Sequence, residues 1–320
     1  MEAYIINGYR SAVGKSKKGG FRFYRPDDLA ADVIKHLVAS TPGLESKLVD
    51  DLIVGNAVPE AEQGMQMGRM ISLLSLGIDT PGFVMNRYCG SGLEAIALAV
   101  GKIKAGMADC IIAGGTESMS LVPTVGYKTV PNYTIAAEHP DYFIGMGLTA
   151  EEVAVKYNIS REDQDAFSAQ SQNRAEAAIN AGRFDGEIVP VSVQTRKETI
   201  EITKDEFPRS GVTAQELAKL RPAFKKDGTV TAANASGIND GAAAVLLMRE
   251  SEAKKRNLIP LAIIKSWATK GVDPSMMGTG PIPASAAALK KAGWSVNDLD
   301  LIVTSTSGEI YYDDIRPNRA

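Results

Sequence analysis

The sequence predicts a layered α/β fold, and three observations predict it. Short apolar runs alternate with stretches of helical period over roughly the first 120 residues, the alternation lapses into a turn-rich segment, and strand-like runs return near residue 241. "AYIIN" opens as a strand. "DDLAADVIKHLVAST" follows with Leu29, Val33, Ile34 and Leu37 at helical spacing, behind Asp27 and Asp28 as capping candidates. "DLIVGN" then "QMGRMISLLSLG", and "GFVMN" then "GLEAIALAVGKIKAG", repeat the strand-and-helix pattern, and "DCIIAGG" adds another strand. From about Ser118 the stretch "SMSLVPTVGYKTVPNYTIAAEHPDYFIGMG" is rich in turn formers and aromatics. A strong helix then begins at "SREDQDAFSAQSQNRAEAAINAG", where Ser160 and Asp163 predict a capping box and Gly182 a stop. Strand signals return at "GAAAVLLM", residues 241–248, and at "LAIIKSWAT", ahead of a helix at "PASAAALKKAGW" and a strand at "LDLIV". The expected division is therefore 1–118 plus 239–258 for a first β-α half, 119–238 for an insertion, 259–302 for the start of a second β-α series, and 303–320 for a divergent tail.

The composition is that of an ordinary soluble protein: 44% hydrophobic, 23% charged, with a net charge of −3 over 320 residues. No basic balance suited to nucleic acid is present. Lysine-rich spots such as "GKSKKGG" and "FKKDG" are short, turn-flanked and read as solvated loops, with attraction of an anionic substrate as their possible use. Two cysteines, Cys89 and Cys110, make no disulfide framework and no C-x-x-C pair, so a reducing compartment is expected. The N-terminus lacks the pattern of a signal peptide and no run approaches a membrane span, which predicts a cytoplasmic protein with no membrane partner. "GYRSAVGKS" resembles a phosphate-binding loop, but five residues separate Gly8 from Gly14 where that motif requires four.

Cys89, in "MNRYCGSGLEAIALAV", stands immediately ahead of a predicted helix. There the unpaired N–H groups and the positive end of the helix dipole favour a thiolate. Gly90 and Gly92 are expected to let the turn be tight and leave room above the sulfur, and Asn86 to hydrogen-bond the turn. Position alone leaves a second reading open, a structural thiol packed at the top of the sheet.

"NRYCGSGLEAIALAV" followed by "ADCIIAGGTESMS" resembles the thiolase family, which makes or cleaves 3-ketoacyl-CoA. "RSAVGKSKKGGF", "GMGLTAEEVAVKY", "SREDQDAFSAQSQNRA", "LRPAFKKDGTVTAANASGINDGAAAVLLM" and "GVDPSMMGTGPIPA" fit the same family in the same order, over about residues 1–302. The resemblance implies a thiolase-like layered α-β-α fold with an inserted loop domain that binds coenzyme A, an incomplete second half, and assembly as a homodimer or homotetramer. It implies no covalently bound cofactor, with coenzyme A and acyl-CoA as substrates. By resemblance Cys89 is the nucleophile that carries the acyl group as a thioester, and its backbone N–H contributes to an oxyanion hole. Ser236 in "NASG" resembles the serine at the pantetheine amide, and Arg209 in "FPRSG" the arginine near the adenine and phosphate end. Phe224 and Met146 resemble apolar walls of the pantetheine tunnel. Each has a plainer reading: a turn for Ser236, a solvated side chain for Arg209, core for Phe224 and Met146.

Two departures from the family pattern matter. Short-chain biosynthetic members usually have a histidine where this sequence has Gly145, which resembles the degradative 3-ketoacyl-CoA thiolases of fatty-acid β-oxidation. Family members also carry Asn-Glu-Ala-Phe, Gly-His-Pro and Cys-x-Gly motifs, whose histidine and cysteine handle protons, and these 320 residues contain none of them. The two histidines are His36, in a predicted helix, and His139, in the insertion, while Cys110 falls in an apolar strand. The expectation is an acyltransferase of the acetyl-CoA C-acyltransferase type, truncated or frame-shifted after about residue 302, with a non-catalytic acyl-CoA-binding or assembly subunit as the alternative.

Overall fold

The computed structural model describes residues 2–299. In chain order the elements are β1 (Ala3–Arg10), β2 (Gly14–Lys15), α1 (Pro26–Ala39), β3 (Asp51–Gly55), α2 (Met67–Ser75), β4 (Gly82–Met85), α3 (Ser91–Lys104) and β5 (Cys110–Ser118). Then come α4 (Tyr133–Glu138), α5 (Met146–Lys156), α6 (Arg161–Asn180), β6 (Val191–Gln194), β7 (Thr199–Ile202), α7 (Ala214–Leu217), β8 (Asn239–Arg249), α8 (Glu250–Lys255), β9 (Ala262–Ile263) and α9 (Pro281–Ala292). They fall into two compact units. Residues 2–129, Phe184–Phe207 and Gly237–Ile264 form the first; Val130–Arg183, Pro208–Ser236 and residues 265–299 form the second.

The first unit is built on a mixed sheet in the order β4-β3-β5-β8-β1-β9, with β2 paired to β8. β4, β3 and β5 run parallel; β8 runs antiparallel to both β5 and β1, and β9 antiparallel to β1. Both faces of the sheet are covered, because alternate residues point to opposite sides. Leu52, Val54, Cys110, Ile112, Leu246 and Met248 join Leu29, Val33, Ile34 and Leu37 of α1 and Met67 and Ile71 of α2 in one core. Ile53, Ile111, Ala113 and Leu247 are as deeply buried but lie outside that cluster, on the side where α3 contributes Ala95, Val100 and Ile103. The layered α/β expectation is thus met, and β3, buried along its whole length, is the sandwiched strand.

Two local expectations change. α1 begins at Pro26, whose fixed φ suits a first helical position and whose missing N–H is not needed there. Asp27 and Asp28 are therefore inside the first turn and are not caps: Asp27 pairs with Arg25 at 2.9 Å and accepts the Asp28 N–H. The run "LAIIKSWAT" yields only the two residues of β9, because Leu261 and Ile263 stay exposed and only the edge of β1 is there to pair with. "LDLIV" and the tail at 303–320 lie outside the described residues, Leu299 apart.

The second unit is mainly helical. The capping box is present: Ser160 Oγ accepts the Asp163 N–H at 3.0 Å, while Asp163 reaches back to the Ser160 N–H. α6 ends with Gly182 at φ 66°, the left-handed stop that glycine favours. On α6, Asp165 is buried, pairs with Arg161 at 2.7 Å and accepts from Asn234 Nδ2 at 3.0 Å, which ties the 234 loop to the helix. On α5, buried Glu151 accepts the N–H groups of Thr229 and Val230 and the Thr229 hydroxyl. Burial alone would raise the Glu151 carboxyl, yet these donors hold it below its ordinary value. Among the described residues no helix is long and apolar enough to cross a membrane.

Candidate active site

The C-terminal ends of β4, β3 and β5 lie side by side, the place where open α/β sheets present their sites. Cys89 is there. β4 ends at Met85, Asn86 and Arg87 follow, Tyr88–Gly90 make one 3-10 turn, and α3 starts at Ser91. The thiol is exposed, so the structural reading left open by position does not hold for it. β3 can run this close to the start of α3 because its last residue is Gly55: a Cβ added there would sit 2.5 Å from the Ser91 carbonyl carbon.

The tight turn is not made by Gly90, whose φ is −86°. Gly92 lies within the helix, with open space where its side chain would be. The left-handed residue is Tyr88, at φ 46°, a conformation that costs a bulky side chain about 1–2 kcal/mol. Side chains hold it there. Asn86 Oδ1 accepts the Tyr88 N–H at 2.8 Å, and Asn86 Nδ2 donates to the Ala57 carbonyl at 2.9 Å, so Asn86 braces the turn as expected. Ser91 Oγ accepts the Arg87 N–H and donates to the Tyr88 carbonyl, and Arg87 pairs with Glu94 at 3.0 Å. The strained turn at Tyr88 leaves the next side chain, that of Cys89, exposed where α3 begins.

Cys110 and Cys89 are opposites. Cys110 is buried in β5, and burial, reinforced by the nearby Asp50 carboxylate, pushes its thiol up to about 12. It is a core residue. His36 lies on α1 edge-on to Tyr9, with ring centres 4.6 Å apart. His139 closes α4 and stacks on Tyr142 at 4.6 Å.

The other four candidates, Met146, Arg209, Phe224 and Ser236, belong to the second unit. All four are exposed, which disposes of the core reading for Phe224 and Met146. Met146 is the first residue of α5, and the ring of Phe224 covers Gly147 beside it, a position where no larger residue would fit. Arg209 donates its backbone N–H to Gln172 on α6 at 2.8 Å, leaving the guanidinium exposed. Ser236 lies two residues beyond Asn234. No group of three or more histidine, cysteine or acidic side chains able to hold a metal occurs among the described residues.

The sequence reading passed over Glu117 at the end of β5. Burial raises its carboxyl, and donors from Ala57, Gln63, Val58 and Asn56 oppose that rise. Glu117 stands two residues past "IAGG", and because Gly115 pairs with Gly55 and Gly55 with Met85, its nearness to the strand end ahead of Cys89 is a signal available only once strand order is known.

Residues 3–251 match the family model described as "Thiolase, N-terminal domain", and residues 258–306 match "Thiolase, C-terminal domain". The chain is 47% identical over 310 residues to the 3-ketoacyl-CoA thiolase of Bacillus subtilis (strain 168), covering 94% of this chain and 79% of that protein. It is 48% identical over 311 residues to the acetyl-CoA acetyltransferase of Rhizobium meliloti (strain 1021), covering 93% and 78%. Among solved structures, the crystal structure of the Bacillus anthracis acetyl-CoA acetyltransferase superposes with a TM-score of 0.84 at 36% identity, over 94% of this chain and 78% of that one.

Proposed function

The chain belongs to the thiolase family of acyltransferases, and on that footing we propose that it transfers acyl groups between 3-ketoacyl-CoA and coenzyme A through a thioester on Cys89. The observation that carries this reading is the exposed thiol in the turn that opens a 14-residue helix, held at the ends of parallel strands. The Cys89 thiolate adds to the 3-keto carbon, and the oxygen charge that develops faces the N-terminal turn of α3. The Cα–Cβ bond then breaks, the acyl group stays on sulfur, and the acetyl-CoA enolate leaves and takes up a proton. In the second half, the thiolate of coenzyme A attacks the thioester, releasing acyl-CoA and restoring the Cys89 thiolate. Coenzyme A and its thioesters are substrates; the reaction needs no bound cofactor.

For the coenzyme A moiety we assign Met146 and Phe224 as apolar walls, Ser236 to the pantetheine amide and Arg209 to the phosphate end, within the 119–238 insertion. Support comes from their exposure and from the hydrogen bonds that anchor the 209, 224–231 and 234 loops to α5 and α6. Gly145, in place of the histidine usual in short-chain biosynthetic members, supports the degradative reading in fatty-acid β-oxidation. Two free cysteines support a cytoplasmic setting, and the outer edge of β4 with exposed Leu73, Leu74 and Ile78 supports a homodimer or homotetramer.

Incubating the folded chain with a 3-ketoacyl-CoA and recording its intact mass tests the reading. The expected outcome is a gain of one acyl group, lost with hydroxylamine and absent in Cys89→Ala. A folded chain that binds coenzyme A and gains no acyl group overturns it in favour of an acyl-CoA-binding subunit.

A further inference from the structure

A run of hydrogen bonds joins the Cys89 turn to a carboxylate that the acyl-transfer chemistry does not use. Asn86 Nδ2 donates to the Ala57 carbonyl at 2.9 Å, and the Ala57 N–H donates to Glu117 Oε2 at 2.7 Å. The other oxygen, Oε1, accepts from Gln63 Nε2 at 2.8 Å. Gln63 is fully buried; its amide nitrogen also donates to the Val58 carbonyl at 2.7 Å, and its Oε1 accepts the Ser118 N–H at 2.6 Å. Glu117 therefore fixes both ends of the short segment 57–58 that Asn86 leans on. At the far end of the run, Asn86 Oδ1 holds the N–H of left-handed Tyr88, the residue just before Cys89.

We infer that Glu117 is a positioning residue for Cys89, acting through Ala57 and Asn86 to hold Tyr88 in the left-handed turn that presents the thiol at the start of α3. This rests on the reading of Cys89 as the nucleophile. The residue type follows from the donors: both Glu117 oxygens face N–H groups, so position 117 needs two acceptors and no donor. A glutamine there places an NH2 against one of those N–H groups. Among the described residues the Ala57 N–H has no other side-chain acceptor, so without Glu117 the carbonyl that Asn86 donates to is held only through the bonds of its neighbours Asn56 and Val58. Tyr88 can then relax toward negative φ, which carries the sulfur away from the helix N–H groups.

The test is the second-order rate of Cys89 alkylation by iodoacetamide in the full chain without substrate, read by intact mass and peptide mapping. Parent, Glu117→Gln, Asn86→Ala and the double variant form a cycle, with thermal melts alongside. Each single change is expected to slow alkylation by about tenfold, the value of one hydrogen bond to a charged group for Glu117→Gln and of the neutral bonds to Tyr88 and Ala57 for Asn86→Ala. The double variant is expected to be no slower than the slower single, because both cut the same run. Acylation at saturating 3-ketoacyl-CoA should fall in parallel, with the half-saturating concentration unchanged, a split that a merely structural role does not produce. If Glu117→Gln does not fold, Glu117→Asp takes its place in the cycle. Alkylation within about twofold of the parent, or a double variant slowed by the product of the two singles, overturns the inference. A parent chain that is alkylated but never acylated instead sinks the acyl-transfer reading, leaving the alkylation cycle to decide the role of Glu117.

Discussion

Cys89 and Cys110 carry the same side chain into opposite environments, and the difference is measurable. Cys110 has its thiol pushed up to about 12 by burial, so at pH 8 about one molecule in ten thousand carries the thiolate. A disulfide reagent at pH 8 should therefore titrate one thiol quickly in the native chain and the second only after unfolding; two fast thiols would show that β5 opens readily. The same shift has a sign in stability. Native Cys110 keeps its proton where the unfolded chain, near the ordinary value of 9.0, has lost it, so stability falls as pH rises from 9.0 to about 12. Cys110→Ala should flatten that alkaline decline by up to about 1.4 kcal/mol per pH unit in urea titrations, and an unchanged slope would refute the assignment. At Tyr88 the backbone decides. Because φ is 46°, Tyr88→Val should unfold at lower urea than Tyr88→Gly, by about 1–2 kcal/mol; equal stabilities would mean that the turn is not strained. Neither feature was equally legible in the sequence. The thiol at a strand-to-helix junction could be read from "MNRYCGSG", but the left-handed residue could not: two glycines offered themselves, and local hydrogen bonds from Asn86, itself held by the distant Ala57 carbonyl, and from Ser91 put the strain on an aromatic residue.

Among the elements, α6 is the one whose ends are written most plainly. Its 20 residues bury only Asp165 and Ala169, so packing contributes little along its length and the caps carry more weight than in α1 or α3. Ser160→Ala removes the acceptor for the Asp163 N–H and one half of the capping box. It should cost about 1 kcal/mol, seen as a lower urea midpoint with an unchanged slope and as faster amide exchange over residues 161–164; no change in either would show that the box is ornamental to the helix. α1 is the contrast. Asp27 and Asp28 have the composition of caps, and Pro26 ahead of them moves the helix start by fixing φ, which makes them first-turn acids that favour the helix dipole instead. β9 fails to match its apolar run for a related reason: local hydrophobicity says that a stretch wants burial, and only tertiary structure says whether a face exists to receive it.

At the scale of the whole molecule, the sheet depends on a strand that arrives late. β8 runs between β5 and β1, pairing Cys110 through Ser118 with Met248 through Asp240 on one side and Ala3 through Arg10 with Arg249 through Ala243 on the other. That this stretch is a strand was legible from "GAAAVLLM". Its antiparallel place inside a parallel β-α series was not, because a run that is apolar at every position carries no sequence period to mark its neighbours or its register. The consequence is a fold that cannot close from its N-terminal end. Residues 1–129 alone would hold β4-β3-β5 and β1 without the strand that joins them, leaving the β5 edge unpaired and the core positions of Leu246, Leu247 and Met248, each at most 1% exposed, empty. Expressed by itself, that fragment should show collapsed amide dispersion and no cooperative urea transition. Adding a second fragment spanning 184–264 should restore both, since it supplies β8 together with the β6-β7 hairpin that contributes Val191, Val193 and Ile202 to the same core. A cooperative transition from residues 1–129 alone would mean that β1 reaches β5 without β8, and that the central place of β8 is a consequence of the fold rather than its condition.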